Sequence, residues 1–178
     1  MRTRYKIIDN EGIYFITSTI VEWIPVFTTQ KYSDIIIQSL KYCKEHKGLK
    51  LYAYVILDNH FHLVASAPEL SSVVASLKQF TAREIIAQLE QNNKGWLLNQ
   101  LKFYKKRNKT KSNYQVWQEG FHPELILNEE MLIQKIEYIH YNPAKRGFVD
   151  MPEHWRYSSC HDHSLNDQAM IEIDELPV

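Results

Sequence analysis

Several features that usually classify a chain are missing from this one. Its two cysteines, Cys43 and Cys160, lie far apart and form no Cys-x-x-Cys pair, which speaks against a disulfide framework and against a zinc ribbon. No apolar run approaches the roughly 18 residues needed to span a bilayer. The opening stretch, MRTRYKIIDNEG, has no signal-peptide core, so a soluble, cytoplasmic protein without a membrane partner is expected. Net charge is also missing. The 21 Lys and Arg balance 21 Asp and Glu, which taken alone argues against a strong nucleic-acid binder. There is no internal repeat and no low-complexity tract.

The balance hides a local asymmetry. Between Gln91 and Gln118 there is no acidic residue, while Lys94, Lys102, Lys105, Lys106, Arg107, Lys109 and Lys111 are basic. From Asp150 onward only Arg156 is basic, against seven acids. A patch of this kind can hold phosphates in a neutral protein, because salt limits surface charges to a reach of about 10 Å. Phe103, Tyr104 and Tyr114 are interleaved with it, which suits a surface where unpaired bases stack on rings. A solvated charged loop is the other reading of the run.

With 178 residues, 44% of them hydrophobic, the chain can bury one good core. Ile13–Val21 (IYFITSTIV) is a strand by composition, and its imperfect alternation predicts burial on both faces. Thr28 or Thr29 caps a helix to about His46, stopped by Gly48. Leu49–Leu57 and His60–Ser66 form a hairpin around Asp58-Asn59, and Leu70–Gln91 has helical apolar spacing. Gly95–Asn113 reads as an irregular excursion or short helix, and Tyr114–Leu127 as a segment containing one more strand. The expected fold is therefore α+β: a ferredoxin-like β-α-β-β-α-β antiparallel sheet with an added C-terminal tyrosine-bearing helix. That helix starts at about Glu129 with Asn128 as its N-cap, and should end near Asn142 because Pro143 disfavours helical geometry before it. Residues 1–150 are expected to form the domain. Residues 151–178 form an extension that docks in part through His154-Trp155-Arg156-Tyr157 and is flexible at its end.

Side chains two apart on a strand leave from the same face, so His60 and His62 should project side by side with Phe61 opposite. Two neighbouring imidazoles can hold one divalent metal, although such a pair is also found as ordinary strand histidines. Tyr138 and Asn142 are four apart on the last helix and share a face, away from the apolar stripe of Leu132, Ile136 and Ile139. If that face lies across the histidine strand, the Asn142 amide oxygen is a candidate third ligand and the Tyr138 hydroxyl a candidate nucleophile on phosphorus. A donor set of two imidazoles and an amide oxygen suits Mg²⁺ or Mn²⁺.

Those residues carry a resemblance. AYVILDNHFHLV is similar to the HUH (His-hydrophobic-His) motif of single-tyrosine transposases. EYIHYNPAKRGFV resembles their tyrosine helix, especially in REP-associated tyrosine transposases and related insertion-sequence enzymes. VWQEGFH and HWRYSS follow the same order, so the similarity covers most of Ile13–Ser159. It implies a metal-dependent DNA transposase that cuts single-stranded or hairpin-associated DNA, leaves a covalent 5′-phosphotyrosine and a free 3′-hydroxyl, and rejoins them without ATP. It places His60 and His62 on the metal-binding histidines, Tyr138 on the nucleophile and Asn142 on the polar residue that assists the metal. Asp58 departs from the pattern, which commonly has proline before the Asn-His step. In some relatives the tyrosine helix serves a neighbouring subunit's histidines, so a homodimer with shared sites is one possibility. Lys145 and Arg146 either contact the DNA backbone near the cut or serve as helix C-terminal charges. Two other readings stand beside this one: a non-catalytic nucleic-acid-binding protein or domesticated endonuclease on the same fold, and a phosphodiesterase that uses water.

Overall fold

The computed structural model describes residues 6–164 and 169–177. Four antiparallel strands, β1 (Tyr14–Thr19), β2 (Lys50–Ile56), β3 (His60–Ser66) and β4 (Glu124–Leu125), lie in the order β2-β3-β1-β4. This is the expected ferredoxin-like arrangement. Helices α1 (Gln30–Lys47) and α2 (Leu70–Gln91) connect β1 to β2 and follow β3, and α3 (Gly95–Phe103) packs on α2.

The pleat divides the core in two. On one face Ile16, Phe61 and Leu63 meet Ile36 and Leu40 of α1 and Val74 and Leu77 of α2. Complete burial of a side chain such as Phe61 contributes about 1.5–3 kcal/mol. On the other face Phe15, Val55 and Val64 pack against Leu132 and Ile139 of α4 (Glu129–Lys145). A register shift between Leu51 and Ala53 leaves Tyr52 as an extra residue. Tyr52 and Ala53 therefore both join the α4 side. β1 is buried along almost its whole length, as its weak alternation predicts.

Two differences from expectation have simple causes. β4 has only two residues, because most of 114–123 runs along β1 as irregular backbone: Gln118 N–H donates to Thr19 O at 2.9 Å and His122 N–H to Thr17 O at 3.2 Å. Helix α4 does not stop at Asn142 but runs through Pro143 to Lys145. Proline in the last turn removes only one helical donor, and the end is closed by a Schellman motif. Phe148 N–H donates to Pro143 O at 3.0 Å and Gly147 N–H to Ala144 O at 2.9 Å, with Gly147 at φ 75°.

The segment after α4 docks on β2. Trp155 Nε1–H donates to Ile56 O at 2.8 Å, the Tyr157 hydroxyl to Asp34 Oδ1 at 2.9 Å, and a short helix α5 (Ser159–Ser164) follows. His161 lies in α5, where its Nδ1–H donates to Glu153 O at 2.7 Å. The side chains of Asp162 and His163 lie outside the described residues. Further on, Ile171 is buried and Asp174 pairs with Lys44 and accepts from Leu51 N–H. No helix among the described residues is long and apolar enough to cross a membrane.

Candidate functional site

The two histidines sit on β3, which has a neighbour on each side, and both face α4. Each has a partner at Nδ1, buried for His60 and part-buried for His62. Thr17 is the direct cross-strand neighbour of His62, and its Oγ1 lies 2.8 Å from His62 Nδ1. His60 Nδ1 lies 2.6 Å from Asn59 Oδ1, and the Asn59 amide is oriented by donating Nδ2–H to Trp23 O at 3.1 Å. With its NH₂ committed to that carbonyl, Asn59 presents only oxygen to His60. The His60 proton therefore resides on Nδ1 and the lone pair on Nε2.

Burial keeps both rings neutral. The His60 pKa is pushed down to about 4 by desolvation and by the Arg146 charge. His62 is pushed down to about 3 by deeper desolvation, with smaller contributions from His60, Arg146 and Lys135. The rings lie 4.8 Å apart, centroid to centroid.

Helix α4 supplies the rest. Lys135, over the Phe15 ring at 4.7 Å and paired with Glu124 at 2.8 Å, anchors it to β1 and β4. One turn on, the Tyr138 ring stands edge-on to His62 at 5.4 Å and to Phe15 at 5.7 Å, yet stays 44% exposed. Two turns beyond Tyr138, Arg146 reaches to 3.5 Å from His60 Nδ1 and 3.6 Å from Asp58 Oδ1. Asn142 lies midway between them on the same helix face, so it is bracketed by residues that touch one histidine each. It is 7% exposed, which corrects the expectation of a face turned away from the apolar stripe: the sheet is broad enough to cover both.

The buried atoms test whether a cation fits here. His62 Nε2 and Asn142 Oδ1 are both sealed from water without a hydrogen-bond partner. Unpaired buried acceptors cost about 1–3 kcal/mol each, a cost that a shared cation would remove. Among the described residues there is no cluster of three or more His, Cys, Asp or Glu able to hold a metal, and the Asn142 amide oxygen is a candidate donor beside the two imidazoles. Two imidazoles and an amide oxygen are a donor set that could take a divalent cation, with water in its remaining positions.

The remaining candidates fare unevenly. Lys145 is exposed at the helix end. The run from Lys105 to Lys111 is not brought to the histidines. It borders a groove of about 1110 Å³ against α2, which packs on the other face of the sheet. Glu119, just past the acid-free stretch, pairs with Lys106 at 2.8 Å and approaches Lys109 at 3.9 Å, Lys105 donates to Lys109 O, and Arg107 and Lys111 are exposed. His140 turns away to Ser159 Oγ, 2.9 Å distant. Sequence reasoning missed Thr17, Asn59 and Trp23. Only the strand register and a long-range carbonyl contact pick them out.

Residues 22–142 match the family described as transposase, IS200-like. A protein of Haemophilus influenzae named "Putative REP-associated tyrosine transposase" is 29% identical over 150 residues, 84% of this chain and 80% of that one. A solved REP-associated tyrosine transposase, bound to a REP hairpin, superposes with a TM-score of 0.65 at 20% identity, covering 100% of this chain and 93% of the other. At that identity it supports the shared fold.

Proposed function

Since the chain belongs to the IS200-like transposase family, whose members cut and rejoin DNA, we propose that it cleaves single-stranded, hairpin-associated DNA with Tyr138 as the nucleophile. The observation that carries this reading is Tyr138 itself: a half-open tyrosine at the edge of the helix face that packs on the sheet, edge-on to a histidine whose free nitrogen has no partner. The proposed DNA partner agrees with the hairpin held by the solved relative.

In this reading the Tyr138 oxygen attacks the scissile phosphorus and loses its proton to solvent, while the bond from phosphorus to the 3′-oxygen breaks and that oxygen takes up a proton. The 5′-phosphate stays on the tyrosine. Attack by another 3′-hydroxyl reverses both changes, restoring a phosphodiester without ATP because the bond count is unchanged. Phe15 and His62 restrict the tyrosine ring, which reduces the search for an in-line approach. Arg146 supplies a fixed positive charge for the phosphate, and Lys145 a second, exposed one. His60 Nε2, His62 Nε2 and Asn142 Oδ1 are the atoms that would hold Mg²⁺ or Mn²⁺. When bound, such a cation supplies neutralisation of charge on a non-bridging phosphate oxygen. All these groups come from one chain.

The test is a labelled hairpin oligonucleotide with a single-stranded flank, incubated with Mn²⁺. A covalent protein–DNA adduct is expected from the unmodified chain and none from Tyr138→Phe, which should still bind the oligonucleotide. Cleavage by Tyr138→Phe would establish water as the nucleophile and overturn the proposal.

A further inference from the structure

Beside His60 the backbone does something costly. Between β1 and α1, Glu22 and Trp23 are consecutive non-glycine residues in left-handed geometry, at φ 49° and φ 56°. The turn is held open from both sides: Ile20 N–H donates to Asn59 O and Val21 N–H to Val116 O, each at 2.8 Å, while Val21 and Ile24 are buried. Backbone strain of this kind persists where its surroundings over-determine it, and it collects at ligand clamps.

The conformation has two products. It aims Trp23 O at Asn59 and so fixes the proton of His60. It also presents the Trp23 indole, 56% exposed, edge-on to His60 at 5.6 Å. The second product serves no packing purpose, since the ring adds little to either core. By contrast Trp96, also exposed, sits in the first turn of α3 and requires no left-handed backbone.

We propose that Trp23 is a stacking platform for one unpaired nucleobase of the DNA strand at the site. This rests on the strand-transfer reading and adds a contact to it. A phosphate near Arg146 and the histidines carries its bases within a nucleotide's length of the indole. A flat, exposed ring accepts any base, because each has a π face, so the contact places the strand without reading its sequence.

The test uses the full chain and two probes: an oligodeoxythymidylate of about twelve nucleotides, within the usual single-strand site size, and the same backbone with abasic sites. Trp23→Ala should bind the thymidylate about tenfold more weakly and the abasic strand unchanged. Trp23→Phe should retain most of the difference between probes. Mn²⁺ affinity should be the same in all three proteins, because the carbonyl that orients Asn59 belongs to the main chain. Equal weakening on both probes, or none on either, overturns the proposal. Photocrosslinking a 5-iodouracil oligonucleotide to the unmodified chain does not depend on how any variant folds. Attachment at Trp23 is expected, and its absence refutes the stacking. Adduct formation by Tyr138 is scored separately. If the adduct forms and Trp23→Ala binds normally, stacking fails alone; if stacking is seen without an adduct, strand transfer fails alone.

Discussion

Replacing Thr17 by valine removes one oxygen and almost nothing else, and its consequence can be worked out from the cross-strand pair. The Thr17 hydroxyl is the 2.8 Å partner of His62 Nδ1, and His62 is only 5% exposed. If Nδ1 carries the proton, the lone pair on Nε2 is directed at the cation position. Loss of the hydroxyl then frees the tautomer and leaves an N–H unpaired in a buried setting. Partners of this type are worth about 10–100-fold in metal affinity, or about 1.4–2.7 kcal/mol. The orphaned N–H should also lower the stability of the metal-free protein by about 1–3 kcal/mol, a fall in Tm of about 2–4 °C per kcal/mol for a chain of this size. Titration calorimetry with Mn²⁺ at fixed ionic strength measures the first quantity and thermal unfolding the second. Thr17→Ser, which keeps the oxygen, should lie close to the unmodified protein in both. A Thr17→Val protein that binds Mn²⁺ as tightly as the unmodified chain, or more tightly, would refute the reasoning. It would mean that the hydroxyl donates to Nδ1 and holds the proton on Nε2, where a cation cannot bind.

Asn142→Leu deletes a buried oxygen with no partner in the metal-free chain, so its Tm without metal should be unchanged or higher while Mn²⁺ affinity falls at least tenfold; a lower Tm without metal would show that the amide is structurally engaged. Asp58→Asn removes the carboxylate 3.6 Å from Arg146. Both side chains are about a third exposed, so stability should change by less than about 1 kcal/mol, whereas single-stranded DNA should bind more tightly, with a salt slope steeper by about 0.7, as read by fluorescence anisotropy across a salt series. The Tyr157 hydroxyl, pushed up to about 12 by burial and by Asp34, stays protonated in the folded chain where an unfolded tyrosine already ionises. The folded state thus holds more protons from about pH 10 upward, so stability is lost as pH rises through that window, and urea titrations should show a smaller alkaline loss in Tyr157→Phe.

The parts of this molecule that could be read in advance are those governed by short-range periodicity. The opposed directions of His60 and Phe61 follow from strand geometry, and the strand order follows from two helices of crossover length separated by a tight hairpin. Tyr138 and Asn142 share a helix face for the same kind of reason. What escaped prediction depends on register and on distant carbonyls. Thr17 is one of several polar residues on β1, and nothing local marks it as the neighbour of His62 until β1 and β3 are aligned. Asn59 looks like turn chemistry, and in the fold neither it nor Asp58 adopts left-handed geometry. The hairpin tip is held instead by Ile20 N–H on Asn59 O and Phe27 N–H on Asp58 O, each at 2.8 Å. The basic run depends on the fold in a related way. Counting charges ends at Gln118, and the next residue, Glu119, folds back on the lysines.

The sheet's two faces also explain why the chemistry collects where it does. The face toward α1 and α2 is covered by two long helices, so every residue on it is committed to packing. The other face has mainly α4, which must seal an apolar patch and still leave an opening. Leu132 and Ile139 do the sealing, and the 3.6-residue turn puts Tyr138 and Asn142 at the edge of the sealed area: one half open, the other just covered. Because the helix runs through Pro143 instead of ending before it, Arg146 keeps the same phase and reaches His60. Had the chain broken at Asn142, the guanidinium would have left the helix face. His60 would then have lost the neighbouring charge that, after burial, helps to keep it unprotonated.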